Sequence, residues 1–106
     1  MIPSFNHQRN GFLTLKCPVC HGDNVHHRAV DVFDRDEDAA GIHVRVDRGS
    51  VTTDTNMDMN PSRRRHGLRI RLGCEECNSD SELLISQHKG ETEVSVAIVE
   101  KRNGHP

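Results

Sequence analysis

Aromatic residues are almost absent from this chain of 106 residues, which has no Trp, no Tyr and three Phe. Apolar residues make up 33% of the sequence, so its hydrophobic core must be small and mainly aliphatic. No apolar segment approaches the ~18 residues of a membrane-spanning helix. The N-terminus lacks the cationic and apolar stretches of a signal peptide. These absences favour a single cytoplasmic domain over residues 1–106, with an ordered core at about 12–100 and flexible tails.

The four cysteines form two C-x-x-C pairs, Cys17 with Cys20 and Cys74 with Cys77. A two-residue spacer folds into a tight turn that points both sulfurs at one position, and a second pair completes a tetrahedron. We therefore predict a structural Zn²⁺ ion bound by all four thiolates, which leaves no coordination position for a catalytic water. His21, His26 and His27 are alternative ligands beside the first pair, but four cysteines already fill the site.

Three other uses of the cysteines are less consistent with the sequence. The missing export signal argues against disulfides. Residues 17–21 also fit the C-x-x-C-H pattern of covalent haem attachment, which the second cysteine pair argues against. A thioredoxin-like site needs a helix after the first pair, where the pattern from Val25 to Phe33 predicts a strand.

Apolar residues alternate with polar ones along most of the chain, as in half-buried strands. The pattern predicts strands at 12–15, 25–33, 42–47, 51–53, 68–72, 83–88 and 94–98. Arg48-Gly49 and Lys89-Gly90 are predicted hairpin turns, because Gly accepts a positive φ. Segments 34–41 and 54–66 are expected to be irregular, with Asn60 at a turn or at a helix N-cap. The fold class is therefore mostly β: a small zinc-ribbon-like antiparallel domain with a hairpin inserted between the cysteine pairs.

Charge is segregated along the chain, although its formal total is only −2. Residues 31–60 carry −5 and residues 61–73 carry +5. The positive segment holds the candidate partner-binding residues Arg63, Arg64, Arg65, Arg69 and Arg71. Guanidinium groups fit phosphates and carboxylates bidentately. Two interpretations stay open: these arginines bind an anionic partner, or they neutralise the acidic segment 31–38 of the same molecule.

Catalytic motifs are missing from the sequence, which contains no P-loop, no G-x-S-x-G and no H-E-x-x-H. The acidic segment begins like a calcium-binding loop, but Ala39 and Arg45 stand where that loop requires Gly and Glu. A metal-dependent nuclease built on the acidic and histidine residues is the weakest alternative. We predict that the protein is not an enzyme.

Five segments together resemble a family of uncharacterised zinc-ribbon proteins of bacteria and phages. They are the two cysteine pairs and the segments 30–38, 60–68 and 87–92, and the resemblance extends over roughly residues 15 to 94. It implies a bacterial or phage origin and a zinc site at the four cysteines, and it implies no activity. The chain departs from the family at Leu72-Gly73, where an aromatic residue tends to precede the second pair.

The function predicted from the sequence is that of a protein-interaction or adaptor module. Its partner would be a protein bound through the arginines of segment 63–71, or through the acidic segment. The alternative is a nucleic-acid-binding regulator that places the same arginines on phosphates; it predicts strongly salt-dependent binding. No membrane partner is expected.

Overall fold

The structure, a computed structural model, describes residues 1–7 and 9–101. It contains eight strands and a short 3₁₀ turn at Arg9–Gly11, and no α-helix among the described residues. The strands are β1 (Phe5–His7), β2 (Leu13–Leu15), β3 (Val25–Asp34), β4 (Ile42–Asp47), β5 (Ser50–Asp54), β6 (Gly67–Cys74), β7 (Ser79–His88) and β8 (Glu91–Lys101). The mostly antiparallel β fold class predicted from the alternation is confirmed.

Six of these strands form one antiparallel sheet in the order β5-β4-β3-β6-β7-β8, and β1 pairs with β2 in a separate ribbon. Strand β3 pairs with β4 on one side and with β6 on the other. The β4–β5 hairpin is therefore the predicted insertion, added as the outer part of the sheet. The pairing of β3 with β6 shifts register between His27 and Val30.

Both predicted hairpin turns are present. Arg48 and Gly49 have φ angles of 50° and 79°, and Lys89 and Gly90 have 49° and 84°. Two consecutive positive φ angles are those of a type I′ turn, whose twist matches the twist of the strands it joins.

The two faces of the six-stranded sheet differ sharply in polarity, because side chains alternate along each strand and paired residues share a face. One face, which we call the apolar face, carries Val25 beside the cysteines and fourteen further aliphatic side chains in register across all six strands: Val30, Val32, Ile42, Val44, Val46, Val51, Leu68, Ile70, Leu72, Leu83, Ile85, Val94, Val96 and Ile98. The other face, the polar face, carries Asp31, Arg45 and Arg69 in a single row.

The buried core is small and lies around the cysteines and under one loop. Its apolar members are Cys17, Ala29, Phe33, Leu72, Cys74 and Val96. At the end of the polar face remote from the cysteines, Phe33 is 1% exposed and stacks on His43 with ring centroids 4.6 Å apart. The loop 55–66 approaches the sheet closely at Gly67, where a Cβ atom would come within 2.9 Å of the Pro61 ring. A glycine is therefore required for this contact.

Three features of the chain differ from the sequence-based expectations or lie outside the described residues. Asn60 stands in a turn rather than at a helix N-cap, because its side-chain oxygen accepts a hydrogen bond from the backbone N–H of Ser62 (3.0 Å) in an irregular segment. Strand β1 was not predicted, since its three residues are too few to show a period. Of the tail expected to be flexible, residues 102–106 lie outside the described residues.

Candidate metal centre and charged clusters

Two chain turns with the same backbone geometry supply the four cysteine sulfurs. The first turn connects β2 to β3 and carries Cys17 and Cys20; the second lies between β6 and β7 and carries Cys74 and Cys77. Because β3 and β6 pair antiparallel, with Val25 opposite Cys74, the start of β3 and the end of β6 meet at one end of the sheet. The sheet register therefore brings together two cysteine pairs that are 53 residues apart in sequence.

Each turn ends with a residue in the left-handed region. His21 follows the first pair with φ 66°, and Asn78 follows the second with φ 57°. The N–H of His21 donates to the carbonyl oxygen of Cys17 (2.9 Å), and the N–H of Asn78 donates to that of Cys74 (3.1 Å). The backbone N–H of Asn78 thus closes the second turn as that of His21 closes the first.

The positions of the four sulfurs fit a metal ion with tetrahedral coordination. The Sγ atoms of Cys17 and Cys77 are 3.7 Å apart, and those of Cys20 and Cys74 are 3.6 Å apart. All four ligand atoms lie within 4.8 Å of one another. Four sulfurs bound to zinc at about 2.3 Å are about 3.8 Å apart, whereas a disulfide would require about 2.05 Å. The four cysteines are therefore positioned to hold a metal ion.

Hydrogen-bond donors surround the most buried of these sulfurs. Burial raises the pKa of the Cys17 thiol, but the Ser79 hydroxyl and the backbone N–H groups of Cys20 and Val19 outweigh it, so that the pKa falls to about 6. Ser79 is 2% exposed, and its Oγ lies 3.5 Å from the Sγ of Cys17 and 3.0 Å from that of Cys77. This serine, which the sequence analysis did not identify, orients two ligands of the site at once.

The pKa of the exposed thiol, that of Cys20, is raised rather than lowered. The N–H of Gly22 lowers the pKa of Cys20, but desolvation and the neighbouring Cys74, Cys77 and Cys17 raise it to about 12. Thiols this close resist ionising together, because the resulting negative charges repel each other. A divalent cation removes that repulsion, so the cluster has the chemistry of a cation site.

The three histidines that we considered as alternative ligands lie outside this cluster. Among the described residues, the group of closely spaced metal-ligating atoms at this site contains the four cysteines alone. His26 pairs with Glu75. His27 lines a cleft described below.

The predicted arginine cluster is largely neutralised within the molecule. Arg64 donates to both carboxylate oxygens of Asp38 (2.9 and 3.0 Å) and to Glu37 (3.0 Å). The Arg64 guanidinium also holds the pKa of Asp38 below its usual value. Arg65 lies 3.1 Å from the same glutamate. Of our two interpretations, these contacts favour pairing of segment 63–65 with the acidic segment.

The two arginines of β6 differ from each other. The side chain of Arg69 is 11% exposed; its Nε donates to Glu82 (2.6 Å) and its Nη1 lies 4.0 Å from Asp31. Arg71, one step along the same face, makes no ion pair with any residue that the structure describes. Arg63 is likewise exposed and unpaired within this part of the chain. The structure therefore leaves Arg63 and Arg71, and not the whole cluster, available to an anion.

A buried polar network on β3 and β4 escaped the sequence analysis. Asp31 is 4% exposed, accepts from Arg45 at 3.0 and 3.2 Å, and lies 2.7 Å from His43 Nε2. The other ring nitrogen of His43 lies 2.9 Å from Asp54. Desolvation lowers the pKa of His43, but the hydrogen bonds with Asp31 and Asp54 outweigh it and raise the pKa. The alternation along β3 and β4 could have indicated this network, because Asp31, His43 and Arg45 lie on the same side of two paired strands.

Comparisons with known proteins add no relative: the chain matches no family model, no curated protein and no solved structure. The described residues contain no helix long and apolar enough to cross a membrane.

Proposed function

We propose that this protein is a non-catalytic interaction module that is held together by a structural zinc ion and associates through the apolar face of its six-stranded sheet. Support for zinc comes from the four sulfurs, whose spacing and thiolate chemistry suit a closed tetrahedral site. Support for a non-catalytic role comes from His43, because both of its ring nitrogens are already engaged by carboxylates. A general base needs a free nitrogen to accept a proton from a substrate.

The open apolar face is the observation that carries the proposal. A sheet with one apolar face normally buries that face against a second layer of structure. Here the loop 55–66 packs against Gly67, which pairs with Phe33 and so lies on the polar face. Of the fourteen aliphatic side chains on the apolar face, only Leu72 and Val96 are buried. Six others are 37–65% exposed: Val32, Ile42, Val46, Val51, Val94 and Ile98. Contiguous exposed apolar surface of this kind marks an interaction site.

A second copy of the same chain is the occupant that best fits this face. The face is mainly aliphatic across six strands and has no charged residue in its interior rows, so it needs an apolar, uncharged counterpart. The same face of another chain has those properties, and two sheets pack face to face at about 10 Å. Twelve side chains that each leave on the order of 50 Å² uncovered would bury about 1,200 Å² in a pair, which exceeds the ~1,000 Å² of a specific interface.

Sedimentation equilibrium of the zinc-loaded protein tests this association. We expect a monomer–dimer equilibrium that Val46→Lys shifts towards the monomer by at least about a hundredfold in Kd, because an unpaired ammonium in an apolar interface costs several kcal/mol. Thr52→Lys is the matched control. Both positions are exposed in the β4–β5 hairpin, but Thr52 pairs with Arg45 and therefore lies on the polar face.

Two results would overturn the proposal. The first is a protein that stays monomeric at the highest attainable concentration. The second is an equal loss of association in Val46→Lys and Thr52→Lys. Circular dichroism and the zinc content of each variant show whether a loss of association reflects a loss of fold.

A second candidate function, a nucleic-acid-binding regulator, is favoured by a separate group of arginines on the polar face. Arg71 in β6 is the one member of this group that also belongs to the set predicted from the sequence, which was Arg63, Arg64, Arg65, Arg69 and Arg71.

A further inference from the structure

An open cleft of about 750 Å³ on the polar face collects four arginines from four separate parts of the chain. Arg28 stands at the irregularity in β3, Arg45 in β4, Arg48 in the β4–β5 turn and Arg71 in β6. His27, Ala29 and Asp47 complete its lining. None of these arginines is adjacent to another in sequence, so the cluster exists only in the folded sheet.

Positive charge in this cleft exceeds the acidic charge available to neutralise it. Asp47 is the one carboxylate in the lining, and its closest approach to Arg45 is 3.8 Å. Arg45 is also paired with buried Asp31 (3.0 Å), and Arg28 makes only a long contact with buried Asp80 (3.5 Å). Arg48 and Arg71 make no ion pair within the described part of the chain. The arginines beside the acidic segment, in contrast, are paired at about 3 Å.

Small residues keep the floor of the cleft open. Ala29 is buried beneath it, 5% exposed. Gly73 lies against the guanidinium of Arg28, and a Cβ atom at Gly73 would come within 2.5–2.6 Å of three atoms of that group. The absence of a side chain at Gly73 therefore lets Arg28 lie flat on β6.

We propose that this cleft binds a ligand with several consecutive phosphate groups, either a free oligophosphate or the backbone of a nucleic acid. The planar guanidinium fork matches phosphate oxygens bidentately, and two of the four forks, those of Arg48 and Arg71, make no ion pair with a carboxylate that the structure describes. Arg45 and Arg71 are separated by one intervening strand, hence by about 10 Å of sheet, which is wider than one phosphate group. Among the described residues, the lining contains no Phe, Tyr or Trp on which an unpaired base would stack, so the chemistry of the cleft favours phosphate over bases.

This site lies opposite the apolar face, because Arg45 and Val46 are consecutive residues of β4. The two proposals are therefore independent, and each can fail without the other. Isothermal titration calorimetry with tripolyphosphate and fluorescence anisotropy with a labelled DNA duplex, both at low salt, test the cleft. Zinc content is measured before and after the titration, because polyphosphates chelate metals.

The variants are Arg71→Gln and Arg48→Asn; the second suits the positive φ at that turn. Each is expected to weaken binding about tenfold, since each removes a charge-assisted fork. Arg63→Gln is the matched control, because Arg63 is an unpaired, exposed arginine outside the cleft. In the duplex arm, wild-type log K should fall with log salt by about 0.9 for each phosphate contacted, and Arg71→Gln should reduce that slope by about one.

The outcomes separate the sources of phosphate. Binding of the duplex, with or without tripolyphosphate, identifies a nucleic acid backbone, whereas binding of tripolyphosphate alone identifies a free oligophosphate; both support the site. The proposal is overturned if neither probe binds at low salt. It is equally overturned if Arg63→Gln weakens binding as much as Arg71→Gln does, because binding would then reflect general charge.

Discussion

We predict that removing a metal ion from the four-cysteine site unfolds this protein, because the four cysteines are a large part of its core. Of the six buried apolar residues in the described part of the chain, two, Cys17 and Cys74, are ligands of the candidate site. The remaining large buried side chains are Phe33, Leu72 and Val96, and burying one such side chain contributes about 1.5–3 kcal/mol. A structural zinc ion contributes an apparent ~10–16 kcal/mol near neutral pH, which matches or exceeds the ~5–15 kcal/mol net stability of a whole domain.

Because of where the four cysteines lie in the fold, loss of the metal ion should affect the whole sheet. One cysteine pair precedes β3 and the other follows β6, and these two strands are the central pair of the sheet. Without an ion, no bond links the four sulfurs, which lie within 4.8 Å of one another. We therefore expect the start of β3 and the end of β6 to separate, and the short β1–β2 ribbon to lose its anchor.

Thermal unfolding followed by circular dichroism, with and without a chelator under reducing conditions, measures this effect. We expect loss of the cooperative transition on chelation and its recovery on adding zinc. Replacement by cobalt(II) should give the visible absorption of a tetrahedral thiolate site. Cys74→Ser should reproduce the effect of the chelator, whereas His26→Ala, which keeps all four cysteines, should leave metal binding intact. A melting curve unchanged after complete metal removal would refute the reasoning.

Three further predictions concern single residues. The folded-state pKa of His43 lies above 6.5, so its contribution to stability is full below about pH 6.5 and declines as the pH rises through the folded-state pKa. His43→Gln should lower the free energy of unfolding by about 1–3 kcal/mol at pH 5 and by a smaller amount in alkali. Urea unfolding at a series of pH values measures this loss, and a loss that does not change with pH would contradict the prediction. His21→Gly should leave stability nearly unchanged, whereas His21→Val should lower it by about 1–2 kcal/mol, because the φ of 66° suits glycine and not a β-branched residue. Equal unfolding midpoints for the two variants would exclude backbone strain as the cause. Gly67→Ala should lower stability by about 1–3 kcal/mol by displacing Pro61, with Gly90→Ala, where the added Cβ meets no atom within 4 Å, as a control for backbone strain alone.

Much of the fold could be predicted because alternation and turn chemistry are local signals. The strand at Ile42–Asp47 and the turns at Arg48-Gly49 and Lys89-Gly90 follow from residue types a few positions apart. The four metal ligands were equally accessible, because each C-x-x-C pair is a local unit. Ser79 was not accessible, since a serine two residues after Cys77 has no special meaning until the sheet places it between two sulfurs.

The charged residues show the limit of local reasoning. Five arginines within nine residues of sequence suggested one binding surface, yet Arg64 and Arg65 pair with an acidic segment more than 25 residues away. Ion pairing depends on distance in space, and only the packing of loop 55–66 against segment 35–41 brings those groups within 3.1 Å. The two arginines of the cleft that make no ion pair with a described residue, Arg48 and Arg71, come from the β4–β5 turn and from β6.

The sequence by itself determined a mostly β chain, its hairpin turns and four thiolates suited to one tetrahedral ion, because each of these depends on neighbours along the chain. Tertiary structure alone decided which strands pair, that one face of the sheet is left open, and which arginines keep their charge. Those outcomes depend on strand order and register, which bring together residues tens of positions apart, and the physical interactions involved act through space rather than along the sequence.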